Sequence, residues 1–119
     1  MLKNHDFDID GLDYKEFVIA TENGNPIGCG RLKKIDETYE IGCIIVAERH
    51  KGRGISSFII THLIEYTPLN VVYAVTDKVD YYKKLGFVEV QDKVKELEES
   101  LVRACKTSKK KAIIMAYEK

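Results

Sequence analysis

The sequence lacks the features that mark several specialised classes of protein. Its 19 lysines and arginines equal its 19 acidic residues, so no net charge draws nucleic acid or acidic lipid to the whole molecule. It contains no run of about 18 apolar residues and opens with no charged-then-apolar leader. We therefore expect a cytoplasmic protein that binds neither nucleic acid nor membrane, in which any anion site is local.

Cysteine and histidine are scarce, and their spacing suggests neither a cross-link nor a metal site. Three cysteines without a C-x-x-C pair give no disulfide framework, so we expect reduced thiols. Cys29 and Cys43 lie in strand-like segments, where a cysteine usually acts as a small buried apolar residue. The histidines have no metal-ligand spacing, and we assign no metal; they are His5, His50 and His62.

Size and composition indicate one folded domain. The chain has 119 residues, 45% of them hydrophobic, which is enough for one hydrophobic core and too few for two. No internal repeat, linker or low-complexity tract interrupts the sequence. We therefore treat residues 1–119 as a single domain.

The first half of the chain predicts β-structure followed by a helix. Strand-forming residues at 14–21 and 27–35 flank the turn sequence ENGNP, which predicts a hairpin. Strict alternation predicts a third strand at 38–46. After two closely spaced glycines, apolar residues recur at helical spacing until Pro68. These residues are Ile55, Phe58, Ile59, Leu63 and Ile64.

The second half alternates strands and helices. The predicted elements are a strand at 69–75, a short helix at 77–86 capped by Gly86, a strand from Phe87, a helix at 92–106 and a strand at 110–118. The helix at 92–106 is predicted to be amphipathic. Its apolar side would carry Val94, Leu97, Leu101, Val102 and Cys105. A hairpin followed by strand–helix–strand units indicates a mixed α/β sheet.

The most informative stretch is VAERHKGRGISSFII, residues 46–60. A strand, a glycine turn and a helix in that order present backbone N–H groups and a positive helix end to a phosphate. Lys51 and Arg53 would add positive charge. The alternative is a tight connection whose basic residues are only solvated. Neither G-x-x-x-x-G-K-(S/T) nor G-x-G-x-x-G occurs, and the turn follows the third strand, which argues against a P-loop or Rossmann site.

This stretch resembles motif A of the GCN5-related N-acetyltransferases (GNAT), in which a strand valine precedes (Q/R)-x-x-G-x-(G/A) at the start of a helix. Residues 49–54 fit that pattern literally, but the family spacing after the valine favours residues 51–56. Lys51 then replaces the arginine or glutamine, and Ser56 replaces the last small residue. The sequence YYKKLGF, residues 81–87, resembles the family's second signature, a tyrosine four residues before Gly-Phe. With the hairpin, the resemblance covers about residues 15–90.

The resemblance implies a GNAT-like acyl-CoA N-acyltransferase fold and an enzyme that uses acetyl-coenzyme A (acetyl-CoA). It would transfer the acetyl group to an amine of a small molecule, an amino acid or a peptide. The turn would hold the coenzyme pyrophosphate, and the main chain of the preceding strand would hold the pantetheine arm and present an oxyanion donor near Ile44. The implied cofactor-binding residues are Ile44, Ile45, Val46, Lys51, Gly52, Arg53, Gly54, Ile55 and Ser56.

The resemblance also implies two catalytic residues. Glu40 lies six residues before Val46, where several family members carry a glutamate base, and it shares a strand face with Ile44 and Val46. Tyr82 matches the tyrosine that can protonate the coenzyme thiolate. Each residue has a simpler alternative, since Glu40 fits a surface carboxylate and Tyr82 fits a packing aromatic.

Two other classes of function stay open at this stage. One is an acyl-CoA binding or regulatory module without turnover. The other is a nucleic-acid or partner module that uses KTSKKK, residues 106–111, as a basic patch, although such a run is usually solvated. Acetyl-CoA turnover against a panel of amines tests the first, and salt-dependent oligonucleotide binding tests the second.

The resemblance weakens at both ends of the chain. The family fold begins with a strand and two helices that wall the acceptor site, and here that section is missing or reduced to LKNHDFDIDG. The helix before the last strand is an addition. We expect it to replace the wall, within one chain or across a homodimer, with Glu96 or Glu99 near the acceptor's positive charge. The alternative is that it packs on the far side and only adds stability. The acceptor is not specified, although residues 71–87 resemble the amino-acid acetyltransferases.

Overall fold

The computed structural model describes residues 8–11, 17–91, 94–107 and 111–119. Within these ranges lie seven strands, three α-helices and two short 3-10 turns at Glu48–His50 and Lys95–Leu97. The strands and α-helices follow in the order β1 (Asp8–Gly11), β2 (Phe17–Glu22), β3 (Asn25–Ile35), β4 (Thr38–Val46), α1 (Ile55–Tyr66), β5 (Val71–Thr76), α2 (Val79–Lys84), β6 (Val88–Glu89), α3 (Glu98–Thr107) and β7 (Ile113–Glu118). The chain separates into two compact units. One is Met1–Leu32 with Ile41–Tyr66, and the other is Lys33–Glu40 with Thr67–Lys119.

The first unit contains the predicted hairpin. β2 and β3 pair in antiparallel register up to Glu22↔Asn25, and the chain reverses at Asn23 and Gly24, whose φ angles are 52° and 81°. Asparagine and glycine adopt this left-handed conformation readily, which explains why ENGNP forms the turn. On its other side β2 pairs antiparallel with β1. β1 lies inside LKNHDFDIDG, where the sequence predicted a front section that is absent or reduced.

The core of the first unit lies under α1. Ile55, Ile59 and Leu63 are each 1% exposed or less, as their helical spacing predicted. Glycine in β3 lets this helix come close, because a Cβ added to Gly30 would lie 2.5 Å from Ile59 Cγ2 and 3.0 Å from Leu63 Cδ1. The absence of a side chain at Gly30 therefore fixes the distance between α1 and β3.

The second unit is built around β7. This strand lies between β5 and β6 and is antiparallel to both, with β5 paired from Val71↔Glu118 to Thr76↔Ile113. The strand predicted to begin at Phe87 is reduced to the two residues of β6. Among the described residues, the buried hydrophobic side chains of this unit are Val72, Ala74, Tyr82, Phe87, Leu97, Ala112, Ile114 and Met115.

α2 ends as the sequence predicted, with a glycine cap. The Gly86 N–H donates to the Lys83 carbonyl oxygen and the Phe87 N–H donates to the Tyr82 carbonyl oxygen, each at 3.0 Å. Gly86 has a φ angle of 105°. This pair of hydrogen bonds is a Schellman motif, which needs a residue with positive φ after the helix. The motif holds Tyr82 and Phe87, whose ring centroids are 5.1 Å apart, in a fixed relation.

α3 departs from the predicted helix at 92–106. Residues 92 and 93 lie outside the described part of the chain, residues 95–97 form the 3-10 turn, and the α-helix begins only at Glu98. Leu97 is fully buried, whereas Val102 is 54% exposed and Cys105 is exposed. The prediction that Val102 and Cys105 share the buried side is therefore wrong. A 3-10 turn has three residues per turn, so it shifts the angular phase of every residue that follows.

The remaining side-chain predictions have mixed outcomes. Cys29 and Cys105 are free thiols, as expected, but Cys29 is only half-buried. The side chain of Cys43 lies outside the described residues. No helix in the described part of the chain has both the length and the apolar character needed to cross a membrane.

Candidate functional site

The glycine turn of the first unit connects β4 to α1. After β4 the Ala47 N–H donates to the Ile27 carbonyl oxygen at 2.8 Å, and the 3-10 turn then leads into residues 51–54. Gly52 and Gly54 have φ angles of 85° and 80°. Left-handed backbone at two positions explains why this turn carries two glycines. A Cβ added to Gly52 would meet no atom within 4 Å, so the turn has open space beside it.

The first turn of α1 is suited to an anion. The helix has 12 residues and no acidic residue in its first turn. The helix dipole places partial positive charge at this end. Backbone N–H groups, open space and a positive helix end therefore coincide at residues 52–56.

Arg53 forms an ion pair that the sequence did not predict. Its Nη2 and Nη1 atoms donate to Oε2 and Oε1 of Glu22 at 2.6 and 3.3 Å. Arg53 Nη1 also lies 2.7 Å from His50 Nδ1, which must accept because a guanidinium only donates. The Arg53 guanidinium holds the pKa of the Glu22 carboxyl below its usual range. The β2–β3 hairpin is thereby joined to the glycine turn.

Lys51 is paired more loosely. Its Nζ lies 3.3 Å from Oε1 of Glu48, and these side chains are 58% and 89% exposed. An ion pair this exposed contributes little, because water and salt screen the two charges. The Lys51 ammonium therefore stays available to an incoming anion.

The other predicted cofactor residues of this unit differ in exposure. Ile45 is 60% exposed, while Ile44, Val46 and Ser56 are half-buried. Ile55 is 1% exposed, so its side chain belongs to the core and only its main chain can face a ligand.

Glu40, in the second unit, is held by the added helix. Glu40 is 9% exposed, and its Oε1 accepts a 2.9 Å hydrogen bond from the hydroxyl of Ser100 in α3. α3 also packs against β5. A buried carboxylate with one oxygen held in this way has a fixed orientation, which a general base requires.

Tyr82 is a buried phenol in an aromatic cluster. It is 8% exposed and makes edge-to-face contacts with Tyr81 and Phe87. Burial, with a smaller contribution from Tyr81, raises the pKa of Tyr82 to about 12. The hydroxyl is therefore protonated throughout the neutral range.

A cavity of about 370 Å³ lies at the start of α2, and its lining residues immediately precede Tyr82 in the sequence. It is lined by Asp77, Lys78, Val79, Asp80 and Tyr81. Among the residues whose placement is described, no group of three or more His, Cys, Asp or Glu side chains is arranged to hold a metal ion.

The structure thus brings Arg53 to Glu22 and His50, and Glu40 to Ser100. Sequence reasoning missed Glu22, His50 and Ser100. Glu22 and Arg53 are 31 positions apart, and Glu40 and Ser100 are 60 apart. Only folding brings such residues together, and no local spacing signals the contact.

Comparisons with known proteins place the chain among acetyltransferases. The model of the Acetyltransferase (GNAT) family matches residues 2–87. N-acetylglutamate synthase from Neisseria gonorrhoeae, complexed with coenzyme A and N-acetyl-glutamate, has a TM-score of 0.68 and 22% identity over 87% of this chain. The chain spans only 25% of that synthase. A search of curated proteins gives no match.

Two further solved structures are similar over more of their own length. A Mycobacterium tuberculosis protein in complex with CoA has a TM-score of 0.70 and 20% identity, over 87% of this chain and 76% of that one. An IAA acetyltransferase from Bacillus cereus has a TM-score of 0.63 and 24% identity, over 87% of this chain and 77% of that one. These likenesses confirm the predicted GNAT-like α/β fold.

Proposed function

The chain belongs to the acetyltransferase (GNAT) family, and from that premise we propose that it transfers the acetyl group of acetyl-CoA to an amine. The observation that carries the proposal is the turn at residues 51–56, with two positive-φ glycines before a helix free of acidic residues in its first turn. Solved structures of similar fold were obtained with coenzyme A. The acceptor is an amine of a small molecule, an amino acid or a peptide.

The residues of the turn suit a diphosphate by their chemistry. Backbone N–H groups from Gly52 to Ser56 would donate to the phosphate oxygens, and the open space at Gly52 lets the ligand approach the main chain. Lys51 would supply a compact ammonium charge, and Arg53 would supply a planar guanidinium. The main chain of residues 44–46 would bind the pantetheine arm, which would cover the exposed Ile45 side chain.

Acetyl-CoA, when bound, supplies an activated thioester. An alkyl ammonium has a pKa of about 10, so the chain must remove a proton from the acceptor near neutral pH. Glu40 is our proposed base, because Ser100 occupies one of its oxygens and fixes the direction of the carboxylate. Tyr82 is our proposed acid, because it matches the tyrosine of the family's second signature and its hydroxyl is protonated at neutral pH.

The added helix contributes to the same proposal. Ser100 ties α3 to Glu40, which supports the hypothesis that α3 walls the acceptor side within one chain. Glu99 pairs with Arg103 at 3.0 Å, but these side chains are 87% and 61% exposed, so Glu96 and Glu99 both stay candidates for a role near the acceptor. Assembly into a homodimer stays a prediction.

Calorimetric titration with coenzyme A tests the site. We expect the parent chain to bind, and Gly54→Val to lose binding, because a β-branched residue disfavours a φ of 80° and blocks the approach of the diphosphate. Gly24→Val is the matched control, since Gly24 has a φ of 81°, close to the 80° of Gly54, but lies in the hairpin turn. Equal affinity of the parent and Gly54→Val would show that the site is misplaced.

Turnover separates an enzyme from a module that only binds the coenzyme. Acetyl-CoA is incubated with small amines, polyamines, amino acids and peptides with free N-termini, and release of the free thiol is measured. Acceleration by at least one amine class, abolished in Glu40→Gln, supports catalysis. Coenzyme binding without acceleration by any amine would favour the non-catalytic alternative.

A further inference from the structure

Arg53, a residue of the proposed coenzyme site, is already engaged by a carboxylate of the same chain. Glu22 accepts two hydrogen bonds from the Arg53 fork, and the two side chains are 22% and 33% exposed. A bidentate carboxylate uses the same parallel N–H groups with which arginine grips a phosphate. We propose, on the premise of the proposed function, that Glu22 is an affinity-determining residue whose carboxylate occupies Arg53 until the coenzyme diphosphate displaces it.

The negative charge of Glu22 determines whether this residue strengthens or weakens coenzyme binding. Because Arg53 holds the pKa of Glu22 below its usual range, the carboxylate stays ionised at neutral pH. A diphosphate that reaches the turn must therefore displace the Glu22 carboxylate before the Arg53 guanidinium can bind a phosphate. Glu22 weakens coenzyme binding and speeds coenzyme release.

The second ion pair of the turn gives a comparison within the same segment. Glu48 and Lys51 also pair, but through one contact of 3.3 Å between largely exposed side chains. Glu48 precedes the turn directly, whereas Glu22 reaches Arg53 from β2, 31 positions away. Of these two ion pairs, only Glu22–Arg53 joins β2 to the glycine turn through two hydrogen bonds. Removing the Glu22 charge should therefore change coenzyme affinity more than removing the Glu48 charge.

A structural role for Glu22 predicts the opposite result. If the pair serves to hold the turn in its binding conformation, removing the charge loosens the turn and weakens coenzyme binding. If Glu22 competes with the diphosphate, removing the charge strengthens binding. The sign of one affinity change therefore distinguishes the two roles.

The experiment is a calorimetric titration of coenzyme A into the parent, Glu22→Gln and Glu48→Gln. We expect Glu22→Gln to bind about three- to fivefold more tightly, the upper range for a partly exposed ion pair, and Glu48→Gln to stay within about twofold. Dephospho-coenzyme A keeps the diphosphate and should show the same gain. Thermal melting confirms that each variant is folded.

A double-mutant cycle with Arg53→Gln tests whether the gain acts through the arginine. Competition predicts that Glu22→Gln has less than about a twofold effect once Arg53 is absent. A gain that persists without Arg53, a gain of equal size in Glu48→Gln, or weaker binding in Glu22→Gln would each overturn the inference. If neither the parent nor Glu22→Gln binds coenzyme A, the proposed function fails together with the inference. If both bind equally, the inference alone fails.

Discussion

Adding one methyl group at Gly30 tests how α1 is positioned in the first unit. A Cβ at this site would lie 2.5 Å from Ile59 Cγ2, 2.7 Å from Ile44 Cδ1 and 3.0 Å from Leu63 Cδ1. All three distances fall well short of van der Waals contact, about 3.5–4.0 Å between carbon atoms. Two of these partners belong to α1, so Gly30→Ala must move the helix or force side chains out of their rotamers. Overpacking of this kind costs about 1–3 kcal/mol.

The assay is urea unfolding followed by circular dichroism, with thermal melting as a second measure. For a domain of this size each 1 kcal/mol lowers the midpoint temperature by about 3–6 °C, so we expect a fall of roughly 3–18 °C. Gly42→Ala is the matched control, because a Cβ there meets no atom within 4 Å and its φ angle is not positive. The control should be neutral or slightly stabilising. An unchanged midpoint in Gly30→Ala, or an equal fall in both variants, would refute the close approach of α1 to Gly30.

Four further outcomes follow from the described contacts. Glu40→Gln removes the basic carboxylate, so turnover should fall by about 10²–10⁴-fold. The variant keeps an oxygen that can accept a hydrogen bond from Ser100, so coenzyme affinity should not change. A fall of less than threefold in the steady-state rate excludes Glu40 as the base. Tyr82→Phe should reduce turnover in the same assay by slowing protonation of the thiolate, and weakened coenzyme binding would indicate a structural role instead. The folded state raises the pKa of Tyr82 to about 12, above about 10 when unfolded, so its contribution to stability is complete below pH 10 and is lost as the pH rises toward 12. Urea unfolding at pH 9 and pH 11 should therefore show a steeper loss for the parent than for Tyr82→Phe. Gly86→Ala places an alanine at a φ of 105° and a Cβ 2.9 Å from Tyr117 Cε2. The free energy of unfolding of this variant should therefore fall by about 1–3 kcal/mol. An unchanged value would contradict the assignment of Gly86 as the cap of α2.

Local patterns predicted the elements that depend on local chemistry. Alternating residues gave the bounds of the strand at 38–46 as the structure has them, and ENGNP gave the hairpin turn. The paired glycines predicted a turn, in which the structure shows left-handed backbone, and Gly86 predicted the end of α2. Each of these features is decided by steric preferences within a few residues, so the sequence alone is sufficient.

Features that depend on distant residues could not be predicted in this way. The engagement of Arg53 by Glu22 and of Glu40 by Ser100 requires a folded chain. The same holds for the phase of α3, where a 3-10 turn replaces the expected first helical turn and leaves Val102 exposed. Helical periodicity assumes 3.6 residues per turn throughout, and this segment does not obey that assumption.

The most direct test of the central claim is an NMR titration of the ¹⁵N-labelled chain with coenzyme A, in which every assigned backbone amide is followed. The account predicts saturable binding with the largest shift changes at the amides of residues 51–56, next to the two left-handed glycines and the start of α1. Changes of the N–H signals are expected there because those groups would donate directly to the diphosphate. Saturable binding that leaves the amides of residues 51–56 unchanged, or no binding at all, would contradict the assignment of this turn as the coenzyme site.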